Sequence, residues 1–208
     1  MRRLGLPLTL LCTVAVLSAC GSASGKPVSA PFGRPHSWQA SNSVLVVGST
    51  KDNPHPGGLL VSFHPNARFA IGLELPNRSR QAVIVTDARV VEPQHAFLHQ
   101  TGTALLHWNT ATCTGGGCAA IQGFPFQPVT ATTPRPLEVK AGGQLGVQLD
   151  YRTGTCAALS SAKEQSPSRM VVHYHVPNGP SQRQVVPLGA YKPLLLHKRV
   201  PPACKPQG

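Results

Sequence analysis

Histidine and cysteine have the widest chemical reach in this 208-residue chain, which holds nine of the first and six of the second. The sharpest spacing is that of His173 and His175. On a strand, residues two apart project from one face, so both imidazoles would approach a single copper(II) or zinc(II) ion. His95, His99 and His107 form a looser set. Met170, Val172, Tyr174 and Val176 alternate with the pair as an apolar face, which places His173 and His175 on the solvent side. No Asp, Glu or Met stands beside them to complete a coordination shell. Metal handling is therefore the alternative expectation, and the leading one is a chain without metal or other cofactor.

The N-terminus has a more specific pattern. Arg2 and Arg3 precede an uncharged, mostly apolar stretch over 4–17. That stretch is short for a membrane span, which takes roughly 20 apolar residues, and it suits a secretory signal. Leu17-Ser18-Ala19-Cys20 resembles the lipobox of bacterial lipoproteins. The resemblance implies diacylglyceryl transfer to the Cys20 thiol, cleavage before Cys20, and attachment to the extracytoplasmic side of the cell membrane. Cys12 would leave with the signal peptide. Multiple acyl chains hold a protein where one holds it only marginally, each buried methylene contributing about 0.8 kcal/mol.

Cys113, Cys118, Cys156 and Cys204 remain, an even set that favours two disulfides in an exported chain. Three connectivities are open. The flexible Thr114-Gly115-Gly116-Gly117 spacer favours Cys113–Cys118, which leaves Cys156–Cys204 to tie down the C-terminal tail. The CTGGGC segment is not a CxxC redox motif and reads as a staple.

Catalytic signatures are absent from the sequence. GSASG at 21–25 has alanine where a nucleophile elbow has serine. There is no HExxH, phosphate-binding glycine loop or dinucleotide fingerprint. Of only seven acids, Asp87, Glu92 and Asp150 stand singly at strand ends and solvent faces. An enzyme is not expected. The formal charge of +12 is carried by scattered residues without Lys/Arg runs or interleaved aromatics, which argues against nucleic acid. A basic surface near anionic lipid and wall polymers gains nonspecific attraction instead.

The elements that must position these residues are strands. Pro (21 residues) and Gly (20 residues) are abundant and charged residues make up only 12%, a balance that favours short strands and turns. Residues 20–42 read as a tether behind the lipidated cysteine, and 43–208 as one domain ending in a Pro-rich basic tail. Apolar runs at 44–47 and 59–63 come first. Phe69, Ile71, Leu73 and Leu75 then alternate with Ala70, Gly72, Glu74 and Pro76, predicting a strand with one apolar and one mixed face. A two-sided apolar strand is expected over 82–91, and others over 104–108, 136–139, 145–151, 170–176 and 184–188. Segment 110–136 has no period and reads as a long loop braced by Cys113 and Cys118.

Seven to nine strands with turns between them resemble an immunoglobulin-like β-sandwich, an architecture that implies nothing about chemistry. The stretch FAIGLELPNRSRQAVIVTDARVV carries the resemblance. The expected function is a non-catalytic binding module of the cell envelope. It would present a sandwich edge or the 110–136 loop to another envelope protein or to an anionic wall polymer.

Overall fold

The structure, a computed structural model, describes residues 29–42, 46–47, 58–93, 97–108, 112–114, 117–119, 123–128, 134–156, 166–195 and 204. Among these, two four-stranded antiparallel sheets pack as a sandwich, the expected all-β class. The first contains β1 (Ser37–Ala40), β4 (Arg68–Pro76), β10 (Gln144–Thr153) and β6 (Leu98–Leu106), in that spatial order. The second contains β12 (Gln182–Pro187), β11 (Arg169–His175), β5 (Val83–Val90) and β9 (Leu137–Val139). Setting β9 aside and lettering the other seven strands A to G in chain order gives A-B-E-D against G-F-C. That is the strand order of a constant-type immunoglobulin-like sandwich.

A smaller sheet joins β2 (Val46–Val47), β3 (Leu59–Val61) and β13 (Pro193–Leu195), the last pair running parallel. A hairpin of β7 (Thr112–Thr114) and β8 (Gly117–Ala119) completes the strands. No helix among the described residues is long and apolar enough to cross a membrane.

The core lies between the two large sheets. Phe69, Ile71, Leu73 and Leu75 of β4 face Val83, Val85, Ala88 and Val90 of β5 and Met170, Val172 and Tyr174 of β11. Tyr151, fully buried, stacks on Phe69 at 5.7 Å between ring centroids. Strand β5 changes the parity of its buried residues between Val85 and Ala88, where the β5–β11 register shifts by a bulge. That bulge makes β5 one-sided, although its sequence reads as apolar on both sides. The C-terminal tail is fastened by a disulfide between Cys156 and Cys204, whose Cα atoms lie 5.3 Å apart.

Several expectations are corrected. The sandwich begins before residue 43: Phe32 is buried, and β1 pairs with β4 from Ser37↔Glu74 to Ala40↔Ile71. The apolar run at 44–47 contributes only β2, to the small sheet. Strand β6 starts at Leu98, well ahead of the expected 104. The mixed second face expected for β4, continued by its partner β10, is buried rather than open. Ala70, Gly72, Glu74 and Gln148 are all buried there.

The cover comes from the segment expected to be a presented loop. Phe124 lies on Gly72 so closely that an added Cβ would sit 2.3 Å from its ring. Trp108 occupies the equivalent space over Gly146 and meets Phe124 edge-on at 4.6 Å. Gln148 then acts as a strand-like clamp: its Oε1 accepts from Gln127 N at 2.8 Å and its Nε2 donates to Gln127 O at 2.7 Å. Gln39 of β1 accepts from Phe124 N. The rings of Trp108 and Phe124 need burial, and Gly146 and Gly72 supply the sockets.

Two outcomes follow for stability. Phe124→Ala should cost about 3–5 kcal/mol in urea unfolding, as for other buried Phe truncations, while the partly buried Phe126→Ala should cost less. Removing the Cys156–Cys204 bridge by double Ser substitution should cost up to about 4 kcal/mol, since it frees a loop with sequence separation 48.

Candidate binding faces

The sandwich has two outer faces. That of β4 and β10 is occupied by the chain itself from Ala70 to Glu74. Its polar side chains are consumed internally: Glu74 accepts from Ser37 Oγ at 2.7 Å and lies 3.3 Å from His36 Nε2, which fastens the incoming segment to the sheet. Asp150 accepts from Gln148 Nε2 at 2.9 Å.

The outer face of β5, β11 and β12 is open. Parity puts Met170, Val172 and Tyr174 inward and Arg169, Val171, His173 and His175 outward. On β12, Gln182, Gln184 and Val186 turn inward, and Arg183, Val185 and Pro187 outward. Cross-strand register then builds the surface: Val171 faces Val185, and His173 faces Arg183 on one side and Asp87 on the other. Val185 is 49% exposed, an unusual setting for a valine in the middle of a strand. The result is an apolar centre of Val171 and Val185 bordered by Arg169, Arg183 and the two imidazoles.

The expected common face of His173 and His175 is present. Its surroundings, however, are cationic rather than ligating. Arg183 stands opposite His173, and Asp87, the nearest acid in register, is held 2.6 Å from Arg89 and also accepts from Ala88 N. His175 has Nδ1 3.0 Å from Val176 O, so Nδ1 carries the donor proton there and Nε2 is the outward nitrogen. No group of three or more His, Cys, Asp and Glu is placed to hold a metal among the described residues.

The other sequence candidates separate. His99 and His107 lie at opposite ends of β6, roughly 25 Å apart at strand rise, so with His95 outside the described residues they form no set. Glu92 accepts from Gln100 N at 2.6 Å and contacts His99, Asp87 holds Arg89, and Asp150 belongs to the glutamine clamp. The three acids thus serve three different partners. Cys113 and Cys118 stand opposite each other in the β7–β8 register, and their side chains lie outside the described residues, as does Cys20. The sequence reading missed Arg169, Arg183 and Val185. The same period-two parity that turned the histidines outward would have found them.

Burial raises the carboxyl pKa of Asp150, against the lowering effect of the Gln148 bond. A folded pKa above the unfolded one means that ionised Asp150 opposes folding, and that the penalty lifts as pH falls through the folded value. Asp150→Asn should therefore stabilise the protein at neutral pH. In thermal melts this advantage should shrink with acidification and disappear below about pH 4, where the unfolded carboxyl is protonated as well.

No protein-family model matches the chain, and no curated protein matches it. Among solved structures, a Corynebacterium diphtheriae protein described as membrane anchored is similar over 80% of this chain, with 12% identity and a TM-score of 0.37. The chain spans 37% of that protein. A likeness of this size bears on neither fold nor function.

Proposed function

We propose that this chain is a non-catalytic binding module of the bacterial cell envelope, held to the membrane by a lipid on Cys20, whose open β5–β11–β12 face takes a protein partner. The observation that carries the reading is the asymmetry of the two outer faces. One is sealed over its middle by Trp108, Phe124 and the glutamine clamp; the other leaves Val185 exposed beside the half-buried Val171. An apolar centre with a polar, charged border is the usual anatomy of a protein interface. Arg169 and Arg183 suit a partner with acidic residues around an apolar patch, since complementary charge steers encounter and fixes register. The lipobox at 17–20 supports the anchor, and the entry of the chain into the sandwich at Phe32 leaves about ten residues to bridge from Cys20.

Two experiments test the two halves. Cys20→Ser should abolish acyl labelling and move the chain from the membrane fraction to the soluble fraction; unchanged membrane retention would remove the lipid anchor. A photo-crosslinker at Arg183 in whole cells should give a discrete protein adduct that Val185→Asp suppresses and Phe126→Ala leaves intact. An adduct indifferent to Val185→Asp, or none at all, would overturn the assignment of this face.

A further inference from the structure

A second feature lies at the other end of the molecule from the chain's entry. Arg152 of β10 stands directly opposite Arg68 of β4 on one side and His99 of β6 on the other. All three are exposed on the same outer face. Directly opposed side chains have Cβ atoms about 5 Å apart, and like charges at that spacing destabilise a sheet. Glu92 lies 3.4 Å from His99, but among the described residues neither Arg68 nor Arg152 is in an ion pair. Arg152 instead donates to the neutral Asn66 Oδ1 at 2.7 Å. Asn66 is held for this in a left-handed turn conformation, φ 58°, with its N–H on Gly154 O.

Beside this row is an open cleft of about 350 Å³, lined among others by Asn66, His99, Thr101, Arg152 and Thr155. Thr101 is the extra residue of a β-bulge, where the β6–β10 register shifts between Asp150 and Tyr151. Bulges at sheet edges re-aim side chains. Glu92 lines the neighbouring groove with Arg89 rather than this cleft, and its contact with His99 is through Nδ1, which leaves Nε2 for a ligand.

We propose that this cleft binds a phosphate group. The Arg152 guanidinium fork matches the geometry of phosphate oxygens and holds charge at any physiological pH, Arg68 opposite it, outside the lining, adds to the positive field, and Thr101 lines the same cleft. The volume sits at the low end of ligand sites and accommodates a phosphoester with part of the unit that carries it. Two sources share this chemistry, a soluble envelope polymer and a lipid headgroup. Position favours the polymer. The chain enters through Phe32, paired with Asn77 just past the far end of β4, roughly 27 Å along the strand from Arg68. With Cys20 as the anchor, on which this choice of source rests, the cleft lies at the end away from the bilayer attachment.

The test uses the full-length protein in neutral detergent, with inorganic phosphate, soluble polyphosphate, polyglutamate of matched charge, and phosphatidylglycerol vesicles as probes. Polyphosphate should bind, Arg152→Gln should weaken it at least tenfold by calorimetry, and Arg68→Gln, outside the lining, should weaken it less. Arg183→Gln, on the other face, should leave it within twofold. Inorganic phosphate should raise the melting temperature of the parent protein and not of Arg152→Gln. That variant should itself melt no lower than the parent, because it relieves a like-charge pair. Equal binding of polyglutamate, or equal loss in Arg183→Gln, would reduce the site to nonspecific charge and overturn it. Arg152-dependent binding to vesicles alone would overturn the polymer as source. Cys20→Ser should keep phosphate binding, so failure of the lipid anchor and failure of this cleft are read separately.

Discussion

The pairing of β4 with β10, buried on both faces, is the constraint on which the rest of the sandwich depends. Nine residue pairs run in unbroken register from Gln144↔Pro76 to Arg152↔Arg68. Their inner side chains are the core. Their outer side chains are too small or too polar to make a second core by themselves: Gly72, Gly146, Gln148 and Glu74. Burying Gln148 or Glu74 without partners would cost on the order of 1–3 kcal/mol each. The fold meets this by bringing backbone to Gln148 and side chains to Glu74. Gln127 presents its N–H and C=O to Gln148, and Ser37 and His36 close on Glu74. The segments that bracket the sheet are thus selected by polar groups, while the rings of Trp108 and Phe124 supply the apolar burial.

This sealing gives the molecule its polarity. A sandwich with two wet faces would offer no reason to prefer either for recognition. Here one face is spent on its own chain, and the other keeps Val185 at 49% exposure among cations. The chain entry adds a second axis along the strands. Asn77, also buried, fixes that end: its Nδ2 donates to three backbone carbonyls, those of Gln81, Val139 and Lys140, and its Oδ1 accepts from Ser79. The amide that a sequon reading of Asn77-Arg78-Ser79 would glycosylate is instead a structural fastener. Fixed entry at this end places the Arg68–Arg152–His99 row at the opposite one.

Legibility in the sequence followed the range of the interactions. Period-two alternation marked β4, β10 and β11 and correctly turned His173 and His175 outward, because parity is a local property. The Cys156–Cys204 pair was also within reach, since a short glycine spacer claims Cys113 and Cys118 and leaves one partner for each. What escaped were contacts between distant segments. Gly72 and Gly146 look like weak strand residues until Phe124 and Trp108, tens of residues away, are seen to need their space. The strand character of 37–40 was hidden because SWQA has no alternating apolar pattern, and only its docking on β4 defines it. The cationic row needs the register of three strands at once, and no linear spacing encodes it.

The edges decide how the open face can be used. An exposed strand edge invites pairing with another chain through its unpaired backbone groups. On the β5 side that edge is capped by β9, which pairs across Val83–Val85. On the other side β12 is the outer strand, but it ends in Pro187, which lacks a donor, and carries Arg183 outward. Its Gln184 side chain bonds both the N–H and the C=O of Phe32, which brings the incoming chain against this strand. Strand addition at β12 would therefore meet a proline, a charge and the protein's own N-terminal segment. Recognition by side chains across the face of the sheet has none of these obstacles. Exposed Val185, with half-buried Val171 beside it, gives that face apolar area that remains to be removed from water.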